Sequence, residues 1–395
     1  MANILVVGAG RFQAKGIIEV KEKGHYVIAV DGDPFAVGKK YSDEFHHVDI
    51  KEKLKILELA RQKKVNAVIS IASELSIETV SFISERLGLV GIPYETAVLS
   101  HNKKKYYNLF EKNGIIVPET CSLENFNINN ISTDYIIIKP SKGSGSRGVE
   151  KINRRLIADY NFDYYSSRIL REDEEVLFQE YICGKEMTVD GMVVNGIFYL
   201  LAISQEVNCP EISDTVSREL VFPPTWITEQ ISMKIRSICQ KIATLLELDF
   251  SPMHFEYKIN DNGDIYLIDF SLRGGGFDLF TEIVEMTSGI NVVSEYINGS
   301  LSENVNIYQP KIFNPVILRF LYAEKKGILK EVVGLERIQE IKNCIFGVLK
   351  NINDEIYRPK DGTTRLAYLI TWGETHNIAL NSADSIEESV FFRIE

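Results

Sequence analysis

The stretch from residue 253 to residue 276 reads MHFEYKINDNGDIYLIDFSLRGGG. Asn262-Gly263 separates two apolar, aromatic-rich runs, and this pattern predicts a β-hairpin with a two-residue turn. In such a turn both central residues need a positive φ, which asparagine and glycine tolerate. Asp261 then pairs with Asp264, and this first pair sets the register of the whole hairpin.

The predicted register brings two acids together. Counting outward from the turn sets Glu256 directly opposite Asp269. His254 then faces Ser271, which shares a strand face with Asp269. Cross-strand Cβ atoms lie roughly 5 Å apart, so two carboxylates repel unless a cation such as Mg²⁺ or Mn²⁺ lies between them. A solvated acidic hairpin is the alternative, although Asp269 interrupts an apolar run where a charge needs a partner.

Size and composition limit the class of protein. A chain of 395 residues is long for one compact core, so two or three domains are expected. The net charge of −11 disfavours nucleic-acid binding, which needs a basic surface. No apolar run approaches the roughly 20 residues of a membrane span, and the N terminus is unlike a signal peptide. The 5 cysteines are scattered without a C-x-x-C pair, so we expect a reduced, cytoplasmic protein.

The N-terminal region alternates apolar strands with helix-compatible segments. One strand runs into Gly8-x-Gly10, and the next ends at Asp31. This βαβ order predicts a parallel sheet. It also resembles a dinucleotide fingerprint, but Gln13 replaces the third glycine. Nicotinamide binding and a tight turn of purely structural value are therefore both open.

After this first βαβ unit, charged residues occur at the predicted starts of two helices. Glu74 and Glu78 come after the apolar strand 67–71, at the sheet edge where ligands collect. They could equally begin a solvated helix, stabilised by its dipole. Residues 103–105 are three lysines that open a helix, and they form either a solvated face or a phosphate contact through an inward Lys103.

Residues 135–149 read YIIIKPSKGSGSRGV. Lys139 closes an apolar strand, where a charge needs a partner. The small residues that follow let backbone N–H groups wrap phosphate oxygens, and the serines add donors. The spacing is not that of a Walker loop, and a surface loop is the alternative.

Two later segments are less specific. Residues 176–191 read as strand, short break and strand, and their exposed backbone could meet a purine base. Residues 205–224 are polar and weakly periodic, so we expect a loop that closes over a site, with Arg218 as a candidate anion contact. The tail after residue 310 is rich in apolar strands, and we find no catalytic or binding motif in its sequence.

In this order and spacing the segments resemble the ATP-grasp superfamily of carboxylate–amine ligases. The resemblance covers roughly residues 1–300 and is closest to members built like biotin carboxylase, carbamoyl-phosphate synthetase and the amino-acid ligases. It implies an α/β fold, with α+β nucleotide-binding lobes. The implied domains are a Rossmann-like βα domain at 1–100, an ATP-grasp domain at 101–310 and a strand-rich lobe at 311–395.

The resemblance also implies a role for each motif. The implied ATP contacts are Lys103, Lys139, Gly143, Ser144, Gly145, Ser146, Gln179, Glu180, Tyr181, Ile182 and Glu186. The implied ligands of two Mg²⁺ or Mn²⁺ ions are Glu256, Asp269 and Ser271. Lys139 and Arg273 are the implied catalytic residues. The implied substrate contacts are Gly10, Glu74, Arg218, Arg273 and Gly274. The family more often has Glu-x-Asn-x-Arg where this chain has Asp269-x-Ser271-x-Arg273.

The resemblance predicts an ATP-dependent ligase. It would activate a carboxylate as an acyl phosphate and join it to an amine, such as an amino acid or a similar small metabolite. ATP and a divalent metal are the expected cofactors, no nucleic-acid or membrane partner is expected, and a homodimer is the expected assembly. Three alternatives are an NAD-dependent dehydrogenase, a kinase with a stable phosphorylated product, and an ATP-binding protein without turnover.

Overall fold

The computed structural model of the chain has the mixed α/β architecture that the sequence predicts. It describes residues 1–126, 133–143, 147–171, 174–209, 213–311, 313–338, 340–360 and 362–395. Within these ranges, no helix combines the length and the apolar character that a bilayer crossing requires.

The N-terminal region is a parallel sheet covered by helices, as predicted. Its strands are β1 (Asn3–Val7), β2 (Tyr26–Asp31), β3 (Glu44–His47) and β4 (Ala67–Ile69), in the order β3-β2-β1-β4. Its helices are α1 (Ala14–Glu22), α2 (Lys53–Gln62), α3 (Ile77–Leu87) and α4 (Tyr94–Ser100), with 3₁₀ turns at Val37–Tyr41 and Glu74–Ser76. β1 and β2 are apolar on both faces because both faces are covered, so they show continuous runs rather than alternation.

A small antiparallel sheet follows. Helix α5 (Lys103–Lys112) leads to β5 (Thr120–Ser122), β6 (Tyr135–Pro140), β7 (Glu150–Asn153) and β8 (Val176–Glu180), in the order β5-β8-β6-β7. Helix α6 (Phe162–Ile169) and 3₁₀ turns at Leu123–Asn125 and Arg154–Asp159 accompany the sheet. Ile136 and Ile138 point into the core that contains Tyr165 of α6. Lys139 therefore points to the opposite side of the sheet.

A large antiparallel sheet forms the centre of the molecule. Its first strands are β9 (Lys185–Val194), β10 (Ile197–Cys209), β11 (Ser213–Phe222), β12 (Phe250–Ile259) and β13 (Ile265–Ser271). Helix α7 (Glu229–Leu245) covers one face, and a π-helical turn (Leu279–Ile283), α8 (Val284–Ser288) and α9 (Val292–Ser300) follow the hairpin. Residues 205–224, predicted as a closing loop, are therefore mostly strand. The prediction was wrong because Gln205, on the face opposite Glu206, is polar as well, so apolar and polar residues do not alternate there.

The C-terminal region continues the same sheet. Its elements are β14 (Val316–Leu321), β15 (Gly327–Val333), α10 (Leu335–Ile338), β16 (Cys344–Val348), β17 (Glu355–Ile356), a 3₁₀ turn (Gly362–Thr364), β18 (Ala367–Trp372), α11 (His376–Ser389) and β19 (Phe391–Ile394). The large sheet has the order β13-β12-β9-β10-β11-β14-β18-β16, while β17-β15-β19 form a separate sheet. The large sheet thus crosses residue 310, and the division into domains there stays a prediction. Helix α11, which the strand-rich prediction did not include, buries Ala379, Ala383 and Ile386.

The turn of the β12–β13 hairpin differs from the predicted one. Asn260 and Asp264 close the loop, with the Asn260 N–H donating to the Asp264 carbonyl at 3.1 Å. Three residues therefore lie in the loop, and Asp261 does not pair with Asp264. Gly263 has a φ of 82°, whereas Asn262 is not in the positive-φ region that the two-residue turn requires. The Asn260 side chain accepts from two loop N–H groups at 3.0 and 2.9 Å, which stabilises the longer loop.

The acids nevertheless face each other, as predicted. Pairs near the loop run one residue out of the predicted register, for example Tyr257 with Leu267. Ile268 then bulges out of the ladder, and Glu256 pairs with Asp269. The offset at the loop and the extra residue at the bulge cancel, so the register at the acids is the predicted one.

Candidate active site

The floor of the candidate site is one face of the large sheet. Glu256 points to this face, while its neighbours Phe255 and Tyr257 are buried on the other face beneath α7. Thr188 on β9 lies beside Glu256, and Ser204 on β10 lies beside Thr188, with 2.6 Å between their hydroxyls. Strand alternation therefore lines the cleft with polar groups and packs the apolar residues behind them.

Glu256 and Asp269 differ in how they are neutralised. Asp269 forms an ion pair with Lys103 and accepts a hydrogen bond from the Tyr106 hydroxyl at 2.7 Å. In the described part of the chain, Glu256 has no hydrogen bond or ion pair. Solvent reaches it through the open cavity, yet the surrounding protein and then Asp269 raise the pKa of its carboxyl. This surplus of negative charge fits a cation between the two acids.

The described residues do not supply a complete metal cage. No group of three or more histidine, cysteine, aspartate or glutamate side chains is arranged for a metal within them. Two carboxylates can nevertheless hold Mg²⁺ or Mn²⁺ when water and phosphate oxygens provide the other ligands, as is usual for Mg²⁺. The donor set therefore fits a metal that arrives with a phosphorylated substrate.

Lys103 is directed inward by the start of α5. The Asn102 side chain caps the helix by accepting from the Lys105 N–H at 3.0 Å, and the Lys103 N–H donates to the Ser141 carbonyl at 3.0 Å. Lys103 is 8% exposed, whereas Lys104 pairs with an acid at the rim and Lys105 is exposed. Of the three consecutive lysines, Lys103 is thus the one at the acids.

Lys139 is buried next to the acids without an ion pair of its own. Its ammonium donates to the Tyr107 hydroxyl at 2.9 Å and to the Gln179 side-chain oxygen at 2.8 Å. Burial and then the charge of Lys103 lower the pKa of Lys139 to about 7, against the opposing effect of the acids. A lysine in this state gains a proton readily when an anion arrives.

The Ser/Gly loop is described in part. Gly143 lines the cavity with a φ of 121°, a conformation that favours glycine. Arg147, at the far end of the loop, is held by Glu174 at 2.7 and 2.9 Å. Ser144, Gly145 and Ser146 lie outside the described residues.

A network around Glu74 forms part of the cavity lining. Glu74 accepts hydrogen bonds from the Ser271 hydroxyl and from Nε of Arg273, the latter at 3.0 Å. His101 lies between Glu74 and Glu78, 3.3 and 2.9 Å from their oxygens. Burial opposes both charges, but the pairing outweighs it: the pKa of Glu74 falls to about 2 and that of His101 rises to about 9. Sequence reasoning missed His101, whose position just before a helix cap was the available signal.

A histidine–aspartate pair also borders the cavity and was not predicted. Nδ1 of His254 lies 3.0 Å from Asp190, whose carboxylate also accepts from the Gly275 N–H at 2.9 Å. A Cβ on Gly275 would lie 2.8 Å from that carboxylate, so the glycine allows the contact. An aspartate inside the apolar strand β9 was the signal available in the sequence.

The predicted adenine hinge lies at the end of β8. The Gln179 side chain bridges Lys139 and the Thr120 hydroxyl, so it links the buried lysine to β5. Glu180 accepts from the Glu119 N–H at 2.9 Å. Ile182 is buried beside them.

Lysines surround the remaining hinge residues. Lys151 and Lys258 lie over the Tyr181 ring, 4.0 and 4.6 Å from its centroid. Lys258 also forms an ion pair with Glu186, which accepts from Asn208 at 3.0 Å. Glu186 is therefore held next to the hinge, at the position proposed for a ribose contact.

The Gly8-x-Gly10 turn is closed by its own side chains. The Asp31 carboxylate accepts from the Ala9 N–H at 2.6 Å, and a Cβ on Gly10 would lie 2.7 Å from the Gln13 side chain. An acid that binds the adenosine ribose of a dinucleotide needs free oxygens near such a turn. Here both oxygens of Asp31 accept backbone hydrogen bonds, from Ala9 and from Asp33 at 2.8 Å, and this arrangement does not favour the dehydrogenase alternative.

Two other residues that were predicted to contact the substrate instead contact other parts of the protein. Arg218 pairs with Glu387 of α11 at 3.1 Å, on an exposed part of the C-terminal region. Gly274 accepts from Arg273 at 2.8 Å, and a Cβ there would overlap the Phe280 ring at 2.0 Å.

An open cavity connects several of the groups described above. Its lining residues are Glu74, Ser100, His101, Lys103, Gly143, His254, Glu256, Asp269, Phe270, Ser271 and Arg273. The structure thus brings together predicted residues from the βα region, α5, the Ser/Gly loop and the hairpin.

Two family models match the chain. One is described as an ATP-grasp domain and matches residues 133–280, and the other is described as L-amino acid ligase C-terminal domain 2 and matches residues 319–395. Residues 133–280 therefore form an ATP-grasp domain. In this ATP-grasp protein the first match includes both Lys139 and the hairpin acids.

The curated relatives of the ATP-grasp protein include ligases whose names pair two amino acids. The D-alanine–D-alanine ligase of Petrotoga mobilis is 28% identical over 199 residues, which is 48% of this chain and 64% of that protein. The 3-methyl-D-ornithine–L-lysine ligase of Methanosarcina barkeri is 28% identical over 218 residues, 54% of this chain and 53% of that protein. The alignments thus span between half and two thirds of the length of these relatives.

Solved structures share the fold over the whole chain. An L-amino acid ligase from Bacillus licheniformis has a TM-score of 0.84 at 14% identity, covering 100% of this chain and 99% of that one. A phosphoribosylglycinamide synthetase from Anaerococcus prevotii has a TM-score of 0.78 at 20% identity, covering 100% of both chains. At these identities the likeness concerns the fold.

Proposed function

We propose that the ATP-grasp protein is an ATP-dependent ligase that activates a carboxylate as an acyl phosphate and joins it to an amine. The observation that carries the proposal is the convergence on one cleft of two lysines, two facing acids and an arginine. These residues are Lys103, Lys139, Glu256, Asp269 and Arg273. Such a set neutralises phosphate charge at the place where it develops.

In the proposal Glu256 and Asp269 hold Mg²⁺ or Mn²⁺, and a second ion shares Asp269 with Ser271. Bound metal would neutralise phosphate charge and help to orient the phosphate oxygens. The unpartnered Glu256 carboxylate supports a cation at the first position. The Ser271 hydroxyl donates to Glu74, so it would have to turn from Glu74 to serve the second position.

The same arrangement assigns the nucleotide contacts. Lys139 and Lys103 hold the phosphates, and residues 143–148 cover them. Backbone groups of residues 179–182 bind adenine, and Glu186 binds the ribose hydroxyls. Lys103 exchanges Asp269 for phosphate when the nucleotide and its metal arrive, since both partners of the ion pair gain a new opposite charge.

The proposed chemistry has two steps. An oxygen of the substrate carboxylate attacks the γ-phosphorus of ATP, the bond to the β,γ-bridging oxygen breaks, and ADP leaves. The amine nitrogen then attacks the acyl carbon, phosphate leaves with its electron pair, and the nitrogen loses a proton to form the amide. In the described part of the chain Nε and Nη1 of Arg273 are engaged by Glu74 and Gly274, and Nη2 has no partner, which leaves it for the acyl phosphate.

Amino acids are the proposed substrate class, with another small metabolite carboxylate as the second candidate. The support comes from the relatives, whose names pair one amino acid with another, and from the match of residues 319–395 to an L-amino acid ligase domain.

An ADP-release assay with pairs of carboxylic acids and amines in the presence of Mg²⁺ tests the proposal. We expect ADP and phosphate only when both substrates are present, and an amide product by mass spectrometry. Glu256→Gln and Asp269→Asn should each reduce turnover at least about 100-fold, because removing a group that stabilises developing charge costs that much. Asp261→Asn, an exposed acid in the same hairpin, is the matched control.

The alternatives give different results in the same assay. A kinase releases ADP with the carboxylate alone and leaves a stable phosphorylated product. A nucleotide-binding protein without catalysis binds ATP and releases no ADP with any pair. Wild-type rates in Glu256→Gln or Asp269→Asn would overturn the proposed roles of the acids.

A further inference from the structure

The C-terminal region brings an arginine to the edge of the cleft floor. Arg365 precedes β18, and its guanidinium lies 3.5 Å from the centroid of the Phe320 ring and 4.3 Å from that of Phe277. Its Nε donates to the Tyr322 hydroxyl at 3.1 Å, and that hydroxyl donates to the Ser217 carbonyl at 2.7 Å. The two rings and the hydrogen bond fix the plane of the guanidinium.

Arg365 lacks the acidic partners that the neighbouring arginine has. Arg319 on β14 pairs with Glu219 at 2.6 Å and with two acids of α11. Among the described residues no carboxylate forms an ion pair with Arg365. A half-buried guanidinium without an anion is costly, and its two parallel N–H groups match the two oxygens of a carboxylate.

Glu206 on β10 is the acid whose charge acts on Arg365, but it compensates the arginine poorly. Its carboxyl is surrounded by protein, and this burial, followed by the charges of Glu186 and Glu256, raises the pKa of Glu206 to about 8. Glu206 forms no ion pair with Arg365 in the described part of the chain. The guanidinium therefore remains available to a ligand.

Arg365 lies on the sheet face that carries the candidate site. By register and strand alternation, Glu206 points to the same face as Glu256. Their strands are separated by one intervening strand, so the two backbones lie roughly 10 Å apart. Arg365 and the two facing acids therefore border the same face of the large sheet.

The aromatic residues around Arg365 connect it to the segment after Arg273 and to the N-terminal region. Phe277, which Arg365 contacts, follows Arg273 closely in the chain. The Phe277 ring also lies 4.9 Å from that of Phe12, beside the Gly8-x-Gly10 turn. Arg365 thus lies where the N-terminal region, the residues after the hairpin and the C-terminal region meet.

We infer that Arg365 binds the carboxylate of the amine substrate, so that this substrate is an amino acid or another amine that carries a carboxylate. The inference rests on the proposed ligase function. Both terminal N–H groups of Arg365 would hold the two carboxylate oxygens, while the amine of the same molecule points back toward Arg273 and the acids. The aromatic rings provide rigidity, and the charge of Arg365 selects against amines that lack the carboxylate.

The test compares an amino acid with its amide, which differs in the carboxylate alone. ADP release is measured with the best amino-acid acceptor from the substrate screen and with the corresponding amide, in wild type, Arg365→Gln, Arg365→Lys and Arg393→Gln. Arg393 is an exposed arginine of the same C-terminal region and serves as the control. Circular dichroism and thermal unfolding establish that each variant is folded.

We expect Arg365→Gln to raise KM for the amino acid at least about tenfold and to leave KM for the amide unchanged, as for the loss of a charge-assisted hydrogen bond. Arg365→Lys should keep part of the preference for the amino acid over its amide, and the control Arg393→Gln should keep all of it. An equal loss for acid and amide would show a structural role and overturn the inference. The same acid-to-amide ratio in wild type and Arg365→Gln would overturn it while the ligase function stands.

A binding measurement separates this inference from the ligase function. Calorimetry with L-alanine and L-alaninamide, in the presence of ADP and Mg²⁺, requires no turnover. A preference for L-alanine that Arg365→Gln loses and Arg393→Gln keeps supports the carboxylate contact even if no substrate pair releases ADP. If wild type shows no preference for the carboxylate in binding or in turnover, the inference is wrong.

Discussion

The ammonium of Lys103 and the carboxylate of Asp269 form an ion pair that joins α5 to β13 inside the candidate site. Lys103 is a proposed phosphate contact and Asp269 is a proposed metal ligand. The ion pair between them must therefore break before the nucleotide and the metal bind. The protein without ligand is thereby held in a state in which one of the two facing acids is already neutralised.

Lys103→Met should make the site more receptive to Mg²⁺ alone. With the ammonium removed, two facing carboxylates are left without a counter-charge, which should destabilise the protein by about 1–3 kcal/mol. Added Mg²⁺ should restore part of that loss, so the melting temperature should rise more with Mg²⁺ in Lys103→Met than in wild type. Differential scanning fluorimetry with and without MgCl₂ measures this. Lys104→Met is the control, and an equal Mg²⁺ response in both variants would contradict the expectation.

Binding of ATP should be accompanied by proton uptake at Lys139. The pKa of Lys139 is lowered to about 7, mainly by burial, so much of this lysine is neutral at pH 7.5 in the free protein. Phosphate oxygens favour the charged ammonium and raise its pKa, which draws a proton from solvent. Calorimetric titration in buffers of different ionisation enthalpy counts the protons. Uptake should be smaller in Lys139→Met than in Lys104→Met, and equal counts would argue against phosphate contact at Lys139.

The His101 network should make stability depend on pH. The pKa of His101 is raised from 6.5 to about 9, so its stabilisation is fully present below pH 6.5 and is lost as pH rises through 9. The pKa of Glu74 is lowered from 4.5 to about 2, so its stabilisation is present above pH 4.5 and is lost as pH falls toward 2. His101→Gln should remove at most about 3 kcal/mol at pH 6 and much less at pH 10.

Urea unfolding of wild type and His101→Gln at the two pH values measures this difference. The control is His47→Gln, because His47 is an exposed histidine at the end of β3. A loss in His101→Gln that is the same at pH 6 and pH 10 would show that packing, rather than charge, accounts for the effect.

Neighbouring glycines after the hairpin should differ in their tolerance of a methyl group. A Cβ on Gly275 would lie 2.8 Å from the Asp190 carboxylate and 2.9 Å from Leu279, whereas a Cβ on Gly276 would meet nothing within 4 Å. Gly275→Ala should therefore cost about 1–3 kcal/mol and displace Asp190 from His254, while Gly276→Ala should be close to neutral. Urea unfolding and ADP release compare the two variants. Similar stability in both would contradict the close approach.

The facing acids could be predicted because the information lies within one hairpin. Pairing is local there, and an acid in an apolar strand is a strong signal. The turn could not be predicted with the same success, since an Asn260 side chain that caps the loop competes with the shorter turn. The correct pairing of Glu256 with Asp269 thus depended on a bulge at Ile268 that no sequence pattern indicated.

The walls of the site were harder to predict because they are assembled from distant segments. His101 acquires its role from Glu74 and Glu78, which approach it through the packing of α3 on α4. Arg365 acquires its environment from Phe277 and Phe320, which only the continuation of the large sheet brings together. The helix cap next to His101 marks its position, but no local pattern at His101 or Arg365 identifies the distant residues that each of them contacts.

The bulge at Ile268 divides the hairpin into two parts, which differ in how well they should tolerate an insertion. On the site side of the bulge, the ladder with β9 fixes Glu256. On the loop side, the strand is anchored by its own contact, in which the Leu267 N–H donates to the Ile116 carbonyl at 2.9 Å. The exposed residues 261–263 can therefore accept an inserted peptide tag or fluorophore without moving the acids. The hairpin tip is thus an attachment point for a reporter outside the catalytic cleft.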